Sequence, residues 1–339
     1  MSGSKKATMI DKYSHRERVR MIMAGEKPDR FAASVWRHFY HRETSAENLS
    51  EAMLDFQKKY DWDFMKINPR ASYHVEDWGN RMEWSTNEFE KHRKVEFAVK
   101  KIDDWDKIDI LPTESPILSE HLRAVELIKK KSDRELPLFM TIFNPIGIAR
   151  YLVGDKNKLL EHMAEAPDKV SGALERITVT FEKFAAETRQ AGADGLFYAT
   201  LEWASSDLMT CEHYENLVRP LDIRIIEAAG DDALNILHVC GSNNYLRRLS
   251  DYPVHLINWE ANDPTNINLD DAFDFMGDKT VVAGLDDRGW LHYSKSREIA
   301  HEISRLKEKM SGKKFIFGPG CAVDPHIPAE NLMTVRENL

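Results

Sequence analysis

Eight short β-rich runs recur along this chain, and amphipathic stretches of helical length fill many of the gaps between them. The runs are Phe31–Arg37, Asp63–Asn68, Leu136–Phe143, Asp194–Thr200, Leu234–Val239, Val254–Trp259, Thr280–Gly284 and Lys314–Phe317. Helical periodicity is clearest over Asp168–Ala191, Glu212–Ala229 and Ser296–Met310. Strands that alternate with helices pair in parallel, because each helix must cross back over the sheet before the next strand begins. Eight such units predict a closed (β/α)8 TIM barrel rather than an open doubly wound sheet.

The remaining segments fit one domain over residues 1–339. Ser14 and Glu17 form a capping-box pattern at the start of a helix that Gly25 and Pro28 stop. Ser72–Val99, with Trp78, Trp84 and alternating polar residues, predicts a hairpin or excursion over the barrel mouth after the second strand. Lys100–Leu122 carries two prolines and reads as a connector. No fixed-period repeat or low-complexity stretch separates domains, and no Gly-rich phosphate loop of either common type is present.

Composition narrows the partners. A net charge of −9 argues against nucleic acid, which is bound by clustered Lys and Arg. No run approaches the ~18 apolar residues of a membrane span, and the N-terminus lacks the apolar core of a secretory leader. Three cysteines in 339 residues make no disulfide framework. A cytoplasmic protein with free thiols is expected, and a homo-oligomer stays open.

The sharpest local feature is Leu237-His238-Val239-Cys240-Gly241, at the end of a predicted strand. Strand side chains alternate, so His238 and Cys240 point the same way, as two ligands of one metal must. Cys321 follows the last predicted strand and opens onto the same end of the barrel, where such enzymes place their chemistry. The 80 residues between the two cysteines exclude a compact zinc finger but not a site assembled from separate strands. One imidazole and two thiolates suit zinc with a fourth position open, where an entering thiol would lose its proton. The pattern alone leaves the bland reading standing beside it: buried cysteines often pack as small hydrophobes, and a histidine at a strand end is often simply hydrogen-bonded. Cys211, after the helix cap Thr210, takes that structural reading.

Other strand-end residues are candidates for the mouth. Trp36, His38, Asn144, Tyr198, Asn258 and Trp259 are read as substrate-binding, although Trp and Tyr in such places are more often packing. Glu202 and Arg37 are read as catalytic. Glu202 would be a displaceable fourth zinc ligand or would orient His238, against the alternative of a solvated loop carboxylate. Arg37 would hold an anionic tail, or merely pair with Asp63.

The chain resembles the uroporphyrinogen decarboxylase superfamily over nearly its full length, through Arg16–Arg30 with its Gly25–Arg30 ending, Pro137–Gly154, Gly192–Gly195, and Phe317–Leu332 with Pro328–Asn331. Within it the chain is similar to the zinc-dependent methyltransferases that work between methylated corrinoid proteins and thiols such as coenzyme M. Their mark is a His-x-Cys pair with a distant Cys, onto which His238, Cys240 and Cys321 fall. The decarboxylases match less well. Their arginine pair is spaced one residue too far apart here, at Arg37 and Arg42, Asn68 stands where an acid is expected, and Cys321 stands where they carry a histidine.

The resemblance implies Zn2+, a thiol or related acceptor, and methyl transfer from a methylated corrinoid. The chain has no Asp-x-His-x-x-Gly corrinoid motif, so that corrinoid must arrive on a partner protein. The alternatives are a zinc lyase or hydrolase acting on a small sulfur or aromatic compound, and a metal-free scaffold barrel.

Overall fold

Seven of the eight predicted strands form one parallel sheet. They are β1 (Met65–Ile67), β4 (Leu138–Phe143), β5 (Gly195–Ala199), β6 (Ile236–Val239), β7 (Leu256–Trp259), β8 (Thr280–Leu285) and β9 (Phe315–Pro319). Each pairs with the next in chain order, so every crossover returns to the neighbouring position and the sheet curls into a half-barrel. The computed structural model describes residues 11–339, and the expectation about a leader falls on residues 1–10, outside that range. No helix among the described residues is long and apolar enough to cross a membrane.

The concave face of the sheet is filled by one apolar side chain from each strand or its lead-in: Phe64, Phe139, Phe197, Ile236, Leu256, Val282 and Ile316. Val19 and Ile22 of the helix His15–Met23 join this layer. That helix carries the predicted capping box, Ser14 and Glu17 each accepting the other's backbone N–H. The larger part of the core lies on the convex side, between the sheet and its covering helices.

The eighth predicted strand, Phe31–Arg37, does not form as a strand. It contributes one parallel bridge, Ala33 to Phe317. The Ser34 N–H donates to Phe317 O at 2.9 Å and the Phe317 N–H to Ala32 O at 2.8 Å, while on the other flank the Asp63 N–H reaches Ala33 O at 2.8 Å. The ladder cannot extend toward β1, because the Ala33 N–H is taken by the Asp63 carboxylate at 2.9 Å rather than by a backbone carbonyl.

The run Glu212–Ala229 is helical without a gap from Cys211 to Glu227, widened into a π turn over Tyr214–Val218. Pro220 has no N–H to offer the preceding turn, which accounts for the widening. The connector ends sooner than expected, because Pro116 starts a helix, Pro116–Lys131, instead of interrupting one. The excursion does form a hairpin, β2 (Arg81–Glu83) against β3 (Arg93–Glu96).

Asp63 ties these parts together. Fully buried, it accepts from Arg18 at 2.7 Å, from Arg30 at 2.7 Å and 3.0 Å, and from Ala33, with His15 at 3.2 Å. Burial opposes its ionisation, but His15, Arg30 and Arg18 hold the carboxyl down at about 2. Asp63→Asn removes the charge while keeping the shape, and it should cost about 3–5 kcal/mol in urea unfolding, as expected for a broken buried ion cluster. His15 supplies a pH test. Burial lowers it, but hydrogen bonds to Asp61 and Asp63 outweigh this and raise it to about 9. Its stabilisation is therefore complete below pH ~6.5 and fades as pH rises through about 9. Thermal melts across that window should fall for the parent and stay flatter for His15→Gln.

Candidate metal centre

At the C-terminal ends of β6 and β9 the chain gathers His238, Cys240 and Cys321, with their ligand atoms all within 4.8 Å of one another. His238 and Cys240 share one face through strand alternation, and Cys321 lies two residues beyond β9. The hydrogen bond with Cys240, aided by His238, holds the Cys321 thiol well below its ordinary range. The same bond, added to burial, pushes the Cys240 thiol up. Two thiols that compete in this way suit a cation that would take both as thiolates.

The imidazole is pre-oriented. His238 sits opposite Asn258 in the β6–β7 register, and its Nδ1 lies 2.6 Å from Asn258 Oδ1. The Asn258 amide nitrogen donates to Val282 O at 2.7 Å and Pro319 O at 3.0 Å, which leaves its oxygen facing the ring. Nδ1 therefore carries the proton, and Nε2 keeps its lone pair for a metal. The loop that bears Cys321 is fixed as tightly. The Gly320 N–H donates to Asp287 Oδ1 at 2.8 Å, and a Cβ at Gly320 would fall 2.3 Å from Glu260 Oε2. A larger residue there would have to displace the Glu260 carboxylate. One imidazole nitrogen and two thiols make a donor set that fits zinc.

These residues line a cavity of about 660 Å3. Trp36, Tyr40, Phe143, Tyr151 and Phe197 supply aromatic wall, and Lys66, Lys91, Lys94, Arg150 and Arg288 outnumber the acids Asp287 and Asp324. The hairpin contributes Met82, His92 and Lys94, so the excursion does reach the mouth. The ammonium of Lys94 and the guanidinium of Arg150 lie over the same Tyr151 ring, at 4.1 Å and 4.7 Å. Burial, then repulsion from Arg150, lowers Lys94 to about 8.

The other sequence candidates divide. Trp36 and His38 line the cavity, His38 held by the buried Glu43 at 3.1 Å. Asn258 stands behind His238, buried, rather than facing a substrate. Tyr198 and Trp259 point away from the cavity, because Phe197 and Asn258 occupy the inward positions beside them. Tyr198 donates to Asp222 at 2.7 Å and Trp259 to Ile267 O at 2.8 Å. Asn144 is buried as the cap of the helix Pro145–Val153, accepting the Gly147 N–H at 3.1 Å. Arg37 turns outward to Glu88 at 2.7 Å, and Asp63 is already taken by Arg18 and Arg30. Glu202 pairs with Arg150 at 3.4 Å and is not among the converging ligand atoms. Cys211 starts a short helix and stands apart from the cluster.

Sequence reasoning passed over Lys66, Lys94, Arg150, Asp287 and Arg288. Lys66 had a readable signal. It shares its face of the run Asp63–Asn68 with Phe64 and Asn68, and Phe64 faces the interior. The other four come from loops, the hairpin and a helix, with no periodic signal.

A profile of the uroporphyrinogen decarboxylase (URO-D) family matches residues 18–338, so the chain belongs to that family. Among its relatives, the methylcobamide:CoM methyltransferase MtbA of Methanosarcina mazei is 23% identical over 246 residues, which are 72% of this chain and 69% of that protein. The uroporphyrinogen decarboxylase of Geobacter sulfurreducens is 23% identical over 252 residues, 71% of each chain. A solved methyltransferase from Methanosarcina mazei shares the fold at a TM-score of 0.81 and 18% identity, covering 96% of this chain and 99% of its own. A B12-independent methionine synthase from Shewanella follows at 0.58 and 11%, covering 91% and 96%.

If Asn258 fixes the His238 tautomer, Asn258→Ala should weaken metal binding by about 10–100-fold. Competition against a chelator measures this, and circular dichroism checks that the barrel strands remain. Unchanged affinity in a folded variant would remove Asn258 from the site.

Proposed function

We propose that this URO-D family protein is a zinc-dependent methyltransferase, moving a methyl group from a methylated corrinoid protein to a thiol or related acceptor. The observation that carries the reading is the convergence of one tautomer-fixed imidazole and two thiols at the foot of a roomy cavity. The methylcobamide:CoM methyltransferase relatives lend the donor and the acceptor class. When bound, zinc supplies the Lewis acidity that converts an incoming thiol into a thiolate.

The chain's own residues do the rest. His238, Cys240 and Cys321 would hold the ion, and Trp36 with His38 would wall the acceptor. Lys94 and Arg150, of which Arg150 pairs with Glu202 at 3.4 Å, suit an acceptor that carries an anionic tail. Glu202 would then act by placing Arg150, and Arg37 by tethering the segment 31–37 to Glu88. That segment is read as the missing eighth stave of a (β/α)8 barrel, since it bonds to Phe317 on one flank and to Asp63 on the other. The whole chain is read as one cytoplasmic domain. A corrinoid held on a partner protein would have to reach the acceptor through the cavity mouth.

The decarboxylase reading is disfavoured by Cys321 and by Asn68, which stand where the resemblance calls for a histidine and an acid.

Purified protein should contain about one zinc per chain, lost in Cys240→Ala and Cys321→Ala but kept in Cys211→Ser. Chelation should leave the fold largely intact, because the core does not depend on the ion. With methylcobalamin, the parent should methylate a thiol with an anionic tail faster than its neutral analogue. Full zinc in both cysteine variants, or methylcobalamin left intact with every thiol tried, would overturn the assignment.

A further inference from the structure

Lys66 is buried in β1 and lines the same cavity as the three ligands. Among the described residues it pairs with no carboxylate, and its hydrogen bond goes to the Asn68 side chain. Its ammonium lies over the Phe197 ring at 4.8 Å, and that ring lies 5.4 Å from the His238 ring. Burial lowers it to about 7, opposed by the charges of Cys321 and Cys240. An unpaired amine in a protein interior is costly, and nothing in the packing of β1 calls for one.

Charge counting at the site shows what it can do. One divalent ion with one neutral imidazole and two thiolates carries no net charge. An acceptor thiol that enters as RS–H releases its proton to solvent and keeps the sulfur electron pair, which leaves one excess negative charge beside the three ligands. On the far side of Cys321, Arg288 is already shared between two acids, Asp287 and Glu260, and lies 3.7 Å from Glu260.

We propose that Lys66 is the counter-charge for the acceptor thiolate, a positioning residue that lets the thiol bind as an anion at neutral pH. This rests on the metal-and-thiol reading above. The ammonium stays out of the methyl transfer itself and acts on the charge of the loaded state.

Lys66→Met removes the charge at nearly constant volume, and Lys66→Arg keeps it. The holoprotein of each is titrated with the same anionic thiol, following thiol affinity, proton release and sulfur coordination by X-ray absorption. In Lys66→Met, zinc content should be unchanged, thiol affinity at pH 7 should fall by about tenfold or more, and proton release should move to higher pH. Lys66→Arg should retain most of the affinity. The metal-free Lys66→Met protein should melt no lower than the parent, since a buried unpaired amine is lost; a purely structural lysine would lower it. Parent-like thiol affinity in zinc-loaded Lys66→Met would overturn the role of Lys66 alone. A zinc-loaded parent that takes no thiol sulfur would overturn both this role and the function on which it rests.

Discussion

The buried carboxylate of Asp63 is the constraint on which the rest of the molecule hangs. Two arginines, a histidine and a backbone N–H converge on it with no exposed face. Such a cluster adds little net stability over an apolar core, but breaking one partner strands buried charge, so it enforces a single arrangement. Here the arrangement links the first helix, the segment 31–37 and the start of β1. The same segment accepts the Val323 N–H at Trp36 O, 2.9 Å away, two residues after Cys321. A charge at the N-terminal end of β1 is thereby connected to the loop that carries a candidate ligand.

The site depends on the same kind of fixation. His238 is set by Asn258, and Asn258 by carbonyls of β8 and β9, so the ring orientation is decided by three strands at once. Cys321 is held by a loop whose Gly320 donates to Asp287 and packs against the Glu260 carboxylate. Around this rigid base the mouth gathers cations from β1, the hairpin and two further segments, on a chain whose net charge is −9. A positive cleft with low-dielectric walls concentrates field on an incoming anion even when the whole surface is acidic.

Much of this was legible in order along the chain. Seven strands fall within two residues of where composition and alternation put them, and His238 and Cys240 share a face for the period-2 reason that predicted it. The same rule, applied to the other strand ends, would have turned Tyr198 and Trp259 outward. They were read as mouth residues because a strand end is a place, whereas facing is a parity. Asn258 was found, but its work is to orient His238. The segment 31–37 has strand composition, yet a side chain took the hydrogen bond that a ladder needed.

Local periodicity and residue type are carried by neighbours in sequence, so the sequence by itself determined the alternating α/β architecture, the family and the candidate trio His238, Cys240 and Cys321. Convergence is different. Lys66, Lys94, Arg150 and the neighbours Asp287 and Arg288 stand on four separate segments, and no spacing in the chain relates those segments. Only the curl of the sheet, which sets where the end of each strand points, brought them around one cavity. It also decided which predicted residues were left behind it.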